Sequence, residues 1–555
     1  MVARVPFVVA CAAMAALVTV PSPARAGADD DPHAACAVMG WVPRGTLEKP
    51  VPLRPGVGNA HDSVTTSVKE AQAFYDQGLN YLHGYVWIEA ARSFSQALRL
   101  DPRLAMAYVG LSRSYSGIDA PEDARKALAR AQELGPQASA RERRRIALRA
   151  RQLDAMADLG NAVAHAEYKK AIDEALAVDV ADPELWLIRG NAEEPTAAGR
   201  GQRGGAASTA FYLEVLRLAP DNAAAHHYLT HSYETISQIP QALEHGEAYA
   251  RLAPSIPHAH HMWGHDLRRV GRIDDAIAAF RRTDALEKAY YAAEDVAPGL
   301  DWHHVHNLDL LATAYQHKGR MKLAEDTMRE AAALPPVTDY AEFNGKALAV
   351  FLLGRQRGDD ALAAARTLEA GRWSATRVVG HALAGHALLA LGRREEAEAA
   401  LAAAEKEVDA VPTLGAGITV SRGQVLPYVA TLRGEIRLRS AQREEGRALL
   451  EDVERTLRGI PGPDAWIQAL FRLEAIARTA REVGDWDLAE YTARQMLDHD
   501  SAYAGSHLAL ALVARHGGDA ATAGREFAAA ERYWPDADPD LPELAEARAR
   551  RTTSQ

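Results

Sequence analysis

Of the 21 histidines in the 555-residue chain, twelve fall between His226 and His317. Most lie in three segments: AHHYLTHSYE (Ala225 to Glu234), PHAHHMWGHDLRR (Pro257 to Arg269) and WHHVHNLDLLATAYQHKG (Trp302 to Gly319). His227 and His231 are four residues apart, as are His261 and His265, and His258 precedes His261 by three. On a helix those intervals place side chains on one face. Neutral imidazole is the commonest protein ligand for transition metals, so such faces are candidate metal sites.

The expected ligands are His227, His231, His258, His261, His265, His306 and Asp309, with Glu234 or Asp309 free to act as a general base. A nitrogen-rich donor set suits copper, zinc or iron and is wrong for calcium or magnesium. Copper is favoured over zinc or iron, given an exported location and Met262 nearby. No thiolates gather here, which excludes a structural zinc site of the cysteine type. More ligands are available than one ion needs, which leaves open two ions, or one ion with a base beside it. Arg268 could hold an anionic substrate group, and Tyr290, Tyr291 and Trp302 could wall the pocket.

Helical elements must carry these residues. From about Glu70 onward, apolar and small residues recur with a period near 34 residues. The clearest unit runs from Ala71 through Gly78, Tyr81, Ala90, Phe94 and Ala97 to Asp101-Pro102. Small residues sit where two helices cross, large ones fill the interface, and proline stops the second helix. The period and pattern are those of the tetratricopeptide repeat (TPR). The expected fold is therefore an all-α solenoid of TPR-type helical hairpins wound into a right-handed superhelix.

The repeat frame sharpens the reading of the histidines. Ala223 to Ile256 and Pro257 to Tyr290 are adjacent units of equal length, and slots 2, 5 and 9 of each first helix face the concave wall. His227, His231, His258, His261 and His265 fill five of those six slots, where a random scatter of 21 histidines would fill fewer than one. In a third unit, His306 and Asp309 take equivalent slots. His226, His260 and His304 fall off that face, and His303, just before the helix, could go either way.

At these residues the chain resembles a bacterial family of exported TPR proteins carrying HYYIHAxE, then GHLxHMPSHIYxRVGxY, then a helix beginning HN. The matching segments are HYLTHSYE from His227, PHAHHMWGHDLRRVGRI from Pro257 and HNLDLLATAYQHKGR from His306. Weaker matches lie at His61 to Thr66, Gln77 to His83 and Leu100 to Tyr108, so the resemblance covers roughly residues 55 to 330. Trp263 and Gly264 replace a Pro-Ser pair, and Asp309 replaces a histidine. The resemblance implies the fold and the histidine site, with His61 and His83 as possible additional ligands beside the undecided His303, and implies no particular reaction.

Composition bounds the rest. The apolar fraction is 48% with only 6% aromatic, and the net charge of -11 is spread without a basic stripe. That argues against a nucleic-acid partner. Arg4, an apolar run from Val5 to Val20 and Ala24-Arg25-Ala26 read as a secretory signal over residues 1–26, which would deliver the chain to the periplasm or exterior. Cleavage there would leave Cys36 as the sole cysteine, so no internal disulfide is expected. No span crosses a membrane in this reading. The expected organisation is then an extended segment at 27–66, a histidine-bearing array at 67–336, a second array at 337–540 and a tail at 541–555. Thr196 to Ser208 reads as a Gly-rich loop and Glu287 to Asp301 as a linker. Three functions remain open: a metal-dependent oxidoreductase or hydrolase acting on a peptide or small molecule in the groove, a metal store, or a scaffold with a protein partner on the C-terminal repeats.

Overall fold

The computed structural model describes residues 38–193, 205–413, 419–460 and 463–549. The expected signal at 1–26, most of the Gly-rich loop and the last residues of the tail lie outside the described residues. The architecture is all-α, apart from a two-stranded antiparallel hairpin pairing Val38–Met39 with Val42–Pro43. Helices pack as successive hairpins, each against the next, as in a TPR solenoid.

The crossings follow from residue size. Gly78 and Gly110 flank Phe94 so closely that a Cβ would sit 2.7 Å and 2.5 Å from its ring. Gly264 is pressed against Phe280 in the same way, at 2.6 Å. Glycine at the crossing lets helix axes approach, and the phenyl ring fills the space between them. Hairpin turns close on left-handed residues such as Gly271 (φ +78) and Gly319 (φ +73). In the first repeat the same position is Tyr85 (φ +59), a conformation that costs a non-glycine residue on the order of 1–3 kcal/mol.

Both ends of the solenoid return to its middle. On the N-terminal side, the amide of Ser255 donates to the Gly56 carbonyl (2.8 Å), the Trp41 indole donates to Leu300 (3.0 Å), and Arg92 reaches Glu294 (2.6 Å). On the C-terminal side, His317 meets Asp500 at 3.0 Å, the Trp534 indole donates to the His317 carbonyl at 3.2 Å, and the Asp538 amide donates to Gly319 at 3.0 Å. The three histidine-bearing helices, Ala223–Thr235, Pro257–Arg269 and Trp302–His317, are thus covered from both sides. His227 and His261 are 0% exposed. The face expected to line an open groove is a buried interior.

Two further expectations need correction. Glu287 to Asp301 is not a linker: the Ile273–Glu294 helix runs through most of it. Its Ala, Glu, Lys and Tyr residues propagate a helix, and the helix ends only where Asp295 turns left-handed (φ 51) ahead of Pro298. Part of the expected tail forms a helix, Pro542–Ala549, because Leu541 and Leu544 have the spacing to pack on Trp534 and cap the last hairpin. Among the described residues no helix is long and apolar enough to cross a membrane.

Phe280 both fills a helix crossing and packs its ring beside His261 at 5.7 Å. Phe280→Ala is expected to cost about 3–5 kcal/mol, read as an earlier urea-unfolding transition.

Candidate metal centre

The first cluster is a triangle of imidazole nitrogens. His227 Nε2 lies 3.0 Å from His258 Nε2 and 3.1 Å from His231 Nε2, and the third side is 3.4 Å. An ion bound tetrahedrally at 2.0–2.1 Å from each nitrogen would hold them about 3.3 Å apart. His227 and His231 come from one helix, one turn apart, and His258 comes from the first turn of the next repeat.

Hydrogen bonds on the far side of the His227 and His258 rings bear on which nitrogen faces inward with a lone pair. The Nδ1 of His227 is 2.6 Å from the His83 carbonyl, which can only accept, so Nδ1 carries the proton and Nε2 does not. His258 Nδ1 is 3.0 Å from His303 Nε2, and His303 Nδ1 is 2.6 Å from Glu287 Oε1. With Glu287 ionised, each imidazole in that line donates outward and His258 Nε2 is also bare. With Glu287 protonated, the line reverses and His258 Nε2 donates a proton to His227. Burial, with Asp301 next, pushes Glu287 well above the usual carboxylate range. The triangle is therefore satisfied either by a neutral N–H of His258 donating to His227 or, with both Nε2 atoms bare, by a cation placed among them.

Burial also keeps the rings neutral, the form that binds metal. It lowers His227 to about 3, against the pull of the His83 carbonyl. Burial and then the neighbouring histidines hold His231, His258 and His261 well below the ordinary range.

The second cluster joins His261, His265 and His306, with one nitrogen from each within 4.8 Å of the others. Asn307 donates to the Phe280 carbonyl (3.1 Å), which aims its oxygen at His261 Nδ1 (3.0 Å). His261 Nε2 is left buried without a hydrogen-bond partner. His265 Nδ1 faces Glu234 Oε1 at 3.3 Å, and Glu234 Oε2 lies 3.9 Å from His231 Nδ1, so one carboxylate touches both clusters. Glu234 also lies near Asp266, and burial followed by the Glu234 charge pushes the Asp266 carboxyl well above its ordinary range. The clusters adjoin: the rings of His258 and His261 stack at 5.7 Å, and His303 lies 4.9 Å and 4.4 Å from them.

The other expected residues divide. Trp302 packs beside His258 at 6.2 Å and His306 at 6.3 Å, and so walls the centre. His303 stands between the clusters as a hydrogen-bonding link. His83 does not point its ring inward: it is held by Tyr228 (2.8 Å) and Glu184 (2.9 Å), and only its carbonyl serves the site. His61 is exposed and paired with Asp76 at 2.7 Å, away from the centre. Asp309, one turn beyond His306, belongs to neither triad. Arg268 is buried and donates to Thr313 at 3.0 Å, so it faces helix packing instead of an open groove. Tyr290 donates to Glu89 and Tyr291 to Asp301, which makes both structural.

Sequence reasoning missed four contributors. Tyr85 packs 4.6 Å from His227 and 5.3 Å from His258, placed there by its left-handed backbone. Tyr249 stacks on His227 at 4.7 Å. Glu287 was hidden in the supposed linker, and Asn307 follows His306 off the ligand face. A third acidic group, Asp284, His304 and Glu330, is already bridged by the Lys288 ammonium at 2.9 Å and 2.8 Å.

No protein-family model matches the chain, and no curated protein matches it. Among solved structures, the chain is similar to the Cut9-Hcn1 hetero-tetramer of APC/C, at 12% identity over 86% of this chain and 84% of that one (TM-score 0.33). It is similar to a human IFIT1 dimer with PPP-AAAA, at 12% identity over 77% and 90% (TM-score 0.38). Yeast Tom70 aligns at 12% identity over 88% and 96% (TM-score 0.29).

Asn307→Leu would strand the His261 N–H in the interior and remove one of the bonds to the Phe280 carbonyl. A loss of about 1–3 kcal/mol in urea unfolding is expected.

Proposed function

We propose that this is an exported, transition-metal protein that binds two neighbouring ions, one on His227, His231 and His258 and the other on His261, His265 and His306. The observation carrying this reading is the triangle of Nε2 atoms with sides of 3.0–3.4 Å, one of them fixed as a bare lone pair by a backbone carbonyl. Six clustered imidazoles with Glu234 alongside favour copper over zinc or iron. Three protein ligands per ion leave coordination positions for water or substrate, the feature that separates catalytic from closed structural sites. Paired ions in such a setting support hydrolytic or oxidative chemistry on a small molecule or peptide. Export rests on the signal-like N-terminus, and places the protein where copper is handled outside the cytoplasm.

Elemental analysis of protein isolated from its native compartment is the direct test. Two ions per chain are expected, with His258→Ala and His261→Ala each removing one. Wild-type protein that holds and takes up no more copper, zinc or iron than a variant lacking both histidines would overturn the reading. Glu287→Gln is expected to weaken metal binding by about 10–100-fold in competition with a chromophoric chelator, through the loss of the line that orients His258.

A protein-interaction scaffold is the second reading, and the TPR-type fold itself favours it. Its partner would use the C-terminal repeats. Capture of a partner that is unchanged by His258→Ala and His261→Ala would support it.

A further inference from the structure

The C-terminal turn of the solenoid encloses a cavity of about 380 Å³ between the first helices of successive hairpins. That volume suits a small-molecule ligand. Leu353, Leu389 and Phe471 supply apolar wall, and Arg472 stands where the cavity meets a smaller one of about 30 Å³ that reaches Asp309 and Thr313. The Trp302–His317 helix is the shared boundary. His306, Asp309, Thr313 and Gln316 follow at intervals of three, four and three, along one face. The metal-side histidine and the cavity wall are thus parts of one helix stripe.

Most of the polar side chains in the cavity are tied to neighbours. Glu435 is held by His386 (2.5 Å) and Arg439 (3.0 Å), Glu482 by Arg439 (2.7 Å), and Glu474 accepts from the Tyr503 hydroxyl (2.9 Å). Arg478 spends donors on the carbonyls of Leu353 and Gly354. Arg472 lies over the Tyr428 ring at 3.9 Å and donates once, to Thr431 at 3.1 Å. Among the described residues no carboxylate pairs with it. Burial pushes its pKa down, as expected for a cation short of a counter-charge. A guanidinium offers five N–H groups in a planar fork that matches a carboxylate.

We infer that this cavity binds a small organic monocarboxylate, its acid group on Arg472 and its apolar body against Leu353, Leu389 and Phe471. Arg478 is tied to two backbone carbonyls while Arg472 keeps donors to spare, and one such guanidinium among neighbouring carboxylates matches a monoanion better than a phosphate dianion. The acid end lies toward Asp309 and the second histidine cluster. As the substrate class of the metal centre, this rests on the metal reading; as a binding site, it does not.

The two parts are tested separately on the full-length chain. In metal-free protein, isothermal titration calorimetry should show octanoate binding and octanamide binding at least about tenfold more weakly. Arg472→Gln should weaken octanoate by about the same factor, while Arg472→Lys retains part of the affinity. Should Arg472→Gln not fold, Leu389→Trp, which narrows the cavity, should lose octanoate and keep butanoate. Equal binding of acid and amide, octanoate affinity unchanged in Arg472→Gln, or inorganic phosphate displacing octanoate at lower concentration than butanoate would each overturn the site. In copper-loaded protein, the octanoate protons nearest the acid should broaden more than the terminal methyl relative to zinc-loaded protein. Uniform broadening would overturn the link to the metal centre and leave the binding site standing.

Discussion

Three imidazole nitrogens held within 3.4 Å of one another in a dry interior cannot all be lone pairs unless a positive charge sits among them. Much of the surrounding structure serves that constraint. The His83 carbonyl fixes one ring, and the Glu287–His303 line fixes another while adjusting its own proton to whatever occupies the triangle. Glu234 brings a carboxylate to the boundary of both clusters.

Burial of the centre is a property of the superhelix and of no single repeat. Glycine–phenylalanine crossings set the spacing between helices, which brings His227 on one repeat and His258 on the next to hydrogen-bonding distance. The two ends of the chain then fold back over the middle. Arg54 and Arg92 grip Glu294 on one side, and Trp534 and Asp500 close over His317 on the other. Desolvation from both sides lowers the pKa values of His227, His231, His258 and His261 and favours their neutral form.

The same closure separates roles along the chain. N-terminal repeats contribute walls and orienting groups, such as Tyr85 and the His83 carbonyl, while the clustered histidines come from the central helices. C-terminal repeats enclose a separate, roomier space whose unpaired charge is Arg472. One helix, Trp302–His317, touches both regions, so a small shift in it would be felt at the histidines and in the cavity together.

Much of this was legible in the sequence. The 34-residue rhythm of small and large residues determined the hairpins, because helix crossing distance depends on local side-chain size. The three-and-four spacing of histidines determined which of them share a face, because helical geometry is local. Long-range contacts decided the rest. Whether that face opened to a groove or was sealed depended on pairs such as Arg92 with Glu294 and His317 with Asp500, about 200 residues apart in the chain. The inward role of His303, the outward turn of His83 and the isolation of Arg472 follow from those contacts. Periodicity reports which side of a helix a residue occupies, and only packing between distant segments decides what that side meets.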